Sequence, residues 1–303
     1  MRIKISELKS LIHQTIGIYK HHGTIIESSI KYDRRDPAPD SFPGMDLPAW
    51  SNIDEMAATV IRDGNLHRIV VVDPARLEAF VNQINPLTKP DSFSPDWLTE
   101  LAAAVISTAA MVVLKQHNED CLGAMEIVNS ASRDLNGRRA VWGQDLYELA
   151  ASYADYAVSA PIMSDRDYVS KAASRRWEKQ TTGPWQGRGR ELDIDILPDY
   201  PKTPDTYDDC NVADRFESKL KVDPEAFPWH TRVWYGGDAA IFNSMFANWS
   251  KVEAAWTVLE KILNKTTVVR FGDGEITGFG NSNMSLEEAV KAASSRLFHK
   301  EFK

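Results

Sequence analysis

The stretch CLGAMEIVNSASRDLNGRRAVWGQDLYELAASYADYAVSAPIMSDRDYVSKAASRRW, residues 121–177, decides how the rest of the chain is read. It opens with CLGAMEIV, an apolar run with β-branched residues that predicts a buried strand. A polar, basic loop follows, RDLNGRRAVWG. Leu146, Leu149, Ala150, Tyr153, Ala154 and Ala157 then recur at helical spacing and form one apolar stripe. APIMSDR predicts a second strand, and DYVSKAASRRWEKQ a second helix. This order places a helix start directly behind a basic, Gly-containing loop. The unpaired N–H groups of such a start converge on one spot and suit a phosphate. Arg138 and Arg139 would add positive charge there.

Composition bounds the rest. A chain of 303 residues with 43% hydrophobic content can bury a sizeable core, as one large domain or two small ones. Charged residues at 26% and nine Trp exclude a disordered chain. A formal charge of −8 excludes nonspecific nucleic-acid binding by the whole surface, leaving only a local basic groove. Cys121 falls in the predicted buried strand and Cys210 in an acidic loop; neither has a CxxC partner. Neither a disulfide framework nor structural zinc is expected from them. His21-His22 has no nearby carboxylate pair at ligand spacing, so no metal site is expected. No apolar run reaches membrane-spanning length, and the N-terminus lacks a signal-peptide core, so a soluble, cytosolic protein is expected.

Along the chain, Ile5, Leu8, Leu11, Ile12 and Ile16 predict an N-terminal helix, with Ser6 its cap. Residues 33–48, with Pro37, Pro39, Pro43 and Pro48, predict a long loop. Residues 52–62 read as a helix stopped by Gly64. LHRIVVVD is a buried strand, and Pro74 starts a helix. A helix is expected over 96–104. ISTAAMVVLKQ, residues 106–116, fits either a strand or a continuation of that helix. ELDIDILP and TRVWYGG predict further strands, on either side of an acidic, Pro-rich surface excursion at 198–214. Beyond Asp238, one long amphipathic helix carries Ile241, Met245, Trp249, Val252, Trp256 and Leu259. A hairpin around Asp273-Gly274 and a helix capped by Ser285 complete the chain. GFGNSN lacks the Lys and the spacing of a phosphate loop.

At residues 121–177 the chain resembles the GNAT family of N-acyltransferases, and within it GNAT-like proteins of tailed bacteriophages. In that family the central strand leads into an Arg/Gln-x-x-Gly-x-Gly/Ala loop whose amides hold the pyrophosphate of acyl-coenzyme A. The matching stretch is Arg138-Arg139-Ala140-Val141-Trp142-Gly143, in which Arg138 and Gly143 match and Val141 stands where the first Gly is expected. Leu146-Tyr147, Met163 to Arg166, Ser170, Ala172, Thr203-Pro204 and Asp208-Asp209-Cys210 match further motifs of the phage group. The resemblance spans roughly residues 100 to 240 and favours a strand over 106–116.

It implies an α/β (α+β) fold, with a mixed, mostly antiparallel central sheet flanked by helices and an α/β C-terminal extension. Three regions are expected: an N-terminal helix and Pro-rich loop at 1–50, the acyltransferase-like domain at 51–238, and the extension at 239–303. Acetyl-coenzyme A or another acyl-coenzyme A would bind Val128, Ser130, Arg138, Arg139, Val141, Trp142, Gly143 and Gln144. Glu126 would be the general base, with Asp165, Arg166 and Tyr168 on the acceptor side. The family's usual acid, a Tyr on the second helix, is replaced by Trp177. The implied acceptor is an amine on a nucleobase or a protein. The implied location is the bacterial host cytoplasm, with a second copy or the virion as partner and no membrane. A non-catalytic scaffold is the alternative.

Overall fold

The computed structural model describes residues 18–21, 24–27, 46–87, 96–135, 138–166, 169–194, 203–210, 228–266 and 284–298. The expected helix over 5–16, residues 33–45 of the Pro-rich loop and the hairpin around Asp273-Gly274 lie outside them. Ile18–His21 and Thr24–Glu27 form a small antiparallel pair.

The main sheet has seven strands: β1 (Ala57–Asp63), β2 (Leu66–Val72), β3 (Thr108–Gln116), β4 (Met125–Ser132), β5 (Ile162–Ser164), β6 (Gly189–Glu191) and β7 (Arg232–Trp234). Their spatial order is β1-β2-β3-β4-β5-β7-β6, and every neighbouring pair is antiparallel except β4 and β5. Seven helices are described: α1 (Pro74–Leu87), α2 (Asp96–Ser107), α3 (Gly143–Tyr153), α4 (Lys171–Thr181), α5 (Ala239–Ala247), α6 (Trp249–Thr266) and α7 (Leu286–Phe298).

Alternation along the strands splits the core into two layers. In β2, Ile69 and Val71 join the layer with α3, while Val70 and Val72 join the layer with α1 and α2. Burial on both faces explains why LHRIVVVD is nearly all apolar. Residues 57–63 correct the expected helix. Ala57 and Ile61 fall in one layer and Ala58 in the other, the period of a strand. Gly64, at φ 60°, turns a hairpin between Asp63 and Leu66 instead of ending a helix. Residues 108–116 are a strand, and α2 ends at Ser107.

Three further expectations are corrected. Residues 121–123 are a tight turn, with positive φ at Cys121, Leu122 and Gly123, so β4 begins only at Met125. Cys121 and Cys210 form a disulfide, joining that turn to the short strand Asp209–Cys210 across 89 residues of sequence. The cysteine count therefore gives no argument for a reducing compartment. The helix expected from residue 239 is two helices. Asn248 at the junction donates from Nδ2 to the carbonyls of Asp54 and Met56, each at 3.0 Å. Met245 of α5 packs in the α3 layer, while Val252, Trp256, Leu259 and Leu263 of α6 and Ala289, Val290 and Ala293 of α7 pack in the other. The chain after Asp238 thus folds around β1, covering the edge of the sheet. No helix among the described residues is long and apolar enough to cross a membrane.

Candidate functional site

The site begins where β4 and β5 part. Their pairing runs from Met125↔Ile162 to Ile127↔Ser164. β4 continues to Ser132, held on its other side by β3, with Ala110 opposite Ser132. Residues 128–132 therefore have a main-chain edge with no partner from β5, and Val128 is exposed there.

The chain then folds back on β4. Asp134–Leu135 and Arg138–Arg139 form a short antiparallel pair, so the basic loop is a small hairpin. Ala140 N–H donates to Arg133 O at 2.8 Å and Val141 N–H to Ser132 Oγ at 3.0 Å. Val141 is buried, whereas Trp142 is 62% exposed and is the N-cap residue of α3. The Asp145 carboxylate accepts from Trp142 N–H, one half of a capping box. Burial raises the Asp145 pKa, against the pull of Arg176 and of that hydrogen bond. Gly143 is the first residue of α3. A Cβ there would stand 3.0 Å from Arg176 Nε, so the α4 guanidinium packs against the helix start. Gln144 is exposed, and its carbonyl accepts from Gln180 Nε2 at 3.4 Å.

Tyr147, one turn on, is a site residue that sequence reasoning placed only within a helical motif. It is buried near the Ser130 side chain on β4 and feels the charges of Arg176 and Asp165. Burial pushes its phenol well above the usual range, so it stays protonated. Periodicity hid it, since a Tyr beside a core stripe reads as packing.

Glu126 and Arg166 are placed differently from a simple reactive pair. Glu126 is 3% exposed; its Oε2 accepts from His117 Nε2 at 2.8 Å and its Oε1 from Arg166 N–H at 2.6 Å. Burial alone would raise its pKa, but those two hydrogen bonds and the nearby charges leave it lowered. Arg166 is 6% exposed. Its guanidinium donates to Ser164 O, Ser164 Oγ, Trp229 O and His230 O, tying the end of β5 to the turn Pro228–His230. Burial lowers its pKa to about 10 despite Glu126 and Asp165, and burial followed by the Arg166 charge takes His230 down to about 4. Asp165 is half-buried beside Tyr147. Tyr168 and the Arg138 side chain lie outside the described residues. Trp177 is buried edge-on against Tyr147 and Trp185.

A cleft of about 490 Å³ lies along the outer flank of α3, lined by Gln144, Asp145, Glu148, Arg188, Asp238 and Ile241 among others. Two groups of metal-ligating side chains occur among the described residues: His117, Asp120 and Cys121, and Asp193, Asp208 and Asp209. Cys121 in the first is committed to its disulfide.

No family model matches the chain, and no curated protein or solved structure matches it.

Proposed function

We propose that the protein is a GNAT-type N-acyltransferase. An acyl-coenzyme A would lie in the opening between β4 and β5, with its pyrophosphate at the start of α3. One observation carries this reading. The one parallel pair of the main sheet parts after Ile127 and Ser164, β4 runs on to Ser132, and the following helix starts beside that open edge. The strand-then-helix unit β2–α1 precedes the central strands, as a GNAT fold requires. Those N–H groups over 128–132 that face away from β3 would take the thioester oxygen. The N–H groups of Gly143, Gln144 and Asp145, with the Arg176 guanidinium, would take the phosphates.

In the transfer, the amine nitrogen forms a bond to the acyl carbon as the C–S bond breaks. The amine proton leaves to a base, and the thiolate receives a proton. Glu126 is a weak candidate for the base, because both of its oxygens already accept hydrogen bonds and its pKa is lowered. Asp165, which directly follows β5, would be the base, and Tyr147, which burial keeps protonated, would be the acid. The acceptor, an amine on a nucleobase or a protein, and the phage setting follow from the resemblance alone.

A specific observation favours a second reading, a non-catalytic scaffold. Trp177 and Val141, both buried, occupy the positions where the family carries a phenol and a glycine. Thermal-shift measurements with coenzyme A and acetyl-coenzyme A test the binding claim. Wild-type protein should be stabilised, by about 2.7 kcal/mol at a hundredfold excess over Kd. Gly143→Val, which clashes with Arg176, should abolish the effect. No stabilisation of wild type by millimolar coenzyme A would overturn the proposal.

A further inference from the structure

The Thr203-Pro204 and Asp208-Asp209-Cys210 motifs play no part in the acyl-transfer reading. They fold against the short strand Asp193–Ile194, which pairs in parallel with Asp209–Cys210, Asp193 opposite Asp209. Asp193 N–H donates to Asp208 O at 3.0 Å. This pairing gathers three carboxylates: one oxygen each from Asp193, Asp208 and Asp209 lies within 4.8 Å of the other two. Asp193 is 3% exposed and Asp208 6%.

Thr203 braces two of them, its N–H donating to Asp193 Oδ2 at 2.6 Å and its hydroxyl to Asp208 Oδ1 at 2.8 Å. Arg190 Nη2 stands 4.0 Å from Asp208 Oδ2. Of the four oxygens of Asp193 and Asp208, Asp193 Oδ1 is buried and meets no hydrogen-bond donor among the described residues. Burying a carboxylate oxygen without a donor is costly, and like charges at this spacing repel. A divalent cation relieves both effects at once. Three oxygens that all lie within 4.8 Å of one another can share one ion with metal–oxygen bonds of about 2.3–2.6 Å.

We propose that Asp193, Asp208 and Asp209 bind one hard divalent cation, Ca²⁺ in preference to Mg²⁺. The donor set is all oxygen, which selects against soft metals. Mg²⁺ keeps several waters and demands a near-ideal octahedron, whereas Ca²⁺ accepts an irregular set of buried carboxylates. The site is independent of coenzyme A. The bound ion would join Asp193–Ile194 to the segment 203–210, which the Cys121–Cys210 disulfide ties to the turn before β4. Sequence spacing hid it, because Asp193 is remote from Asp208-Asp209 and belongs to no ligand motif.

The test is calorimetric titration of chelator-treated protein with Ca²⁺ and with Mg²⁺, alongside melting curves. Asp193→Asn keeps an oxygen for the Thr203 N–H and puts an amide donor beside the other carboxylates, so it should melt at or above wild type in chelator. Its Ca²⁺ affinity should fall at least about tenfold. Should Asp193→Asn not fold, Asp208→Asn, whose amide oxygen still accepts from the Thr203 hydroxyl, reads the same loss. The proposal is overturned if millimolar Ca²⁺ gives neither heat nor a shift in Tm. Tighter binding of Mg²⁺ than of Ca²⁺, or unchanged Ca²⁺ affinity in the folded variants, would also overturn it.

Discussion

His117 lies between Asp120 at 2.9 Å and Glu126 at 2.8 Å, and only an imidazolium can donate to both. Burial by itself lowers the His117 pKa; the hydrogen bonds to Glu126 and Asp120 outweigh it, so the net shift is upward from 6.5. Its share of stability is therefore complete below 6.5 and lost as pH rises through the folded value. Glu126 is shifted down from 4.5, so its share is present above 4.5 and lost as pH falls through its folded value. Between those limits the pair holds the turn ahead of β4. His117→Gln should cost about 1.5–3 kcal/mol near pH 6 and distinctly less near pH 9. Urea unfolding at the two pH values measures the difference; an equal loss at both would show that His117 is not charged in the fold. Sequence reasoning found Glu126 on the central strand but not its partners. The histidine lies across a hairpin, and no spacing rule connects His117 to Glu126.

The elements most legible in sequence were those with a single clear period, and the misreadings have local physical causes. The α3 stripe was read correctly through Ala154, but the π-helical turn Ala154–Val158 rotates the chain and leaves Ala157 exposed. Ser170 caps α4 by accepting from Ala173 N–H, and Ser285 and Glu288 complete a capping box before α7. Residues 57–63 were misread because the strand is buried on both faces at one end and exposed at the other, so neither period dominates. The stripe from Ile241 to Leu259 concealed the break at Asn248, because both halves are amphipathic while facing opposite layers. Asn248→Ala removes both bonds to the strand entrance and should destabilise the fold by about 1–2 kcal/mol. Chemical denaturation reads this directly, and an unchanged midpoint would mean that the junction does not need its anchor.

For the whole molecule, the mixed, mostly antiparallel sheet with helices on both faces is the part of the expected architecture that the structure displays. The disulfide and the three-carboxylate cluster were invisible because each joins residues that only folding brings together. The candidate site is likewise a product of topology: an open strand edge, a helix start and Arg176 from a later helix meet at one place. The acyl-coenzyme A reading rests on that meeting. Hydrogen–deuterium exchange with and without coenzyme A tests it most directly. The account predicts slower exchange at residues 128–132 and 141–146 when coenzyme A is present, with the α6–α7 layer unchanged. Bound coenzyme A that leaves both segments unprotected, or protects a different surface, would contradict it.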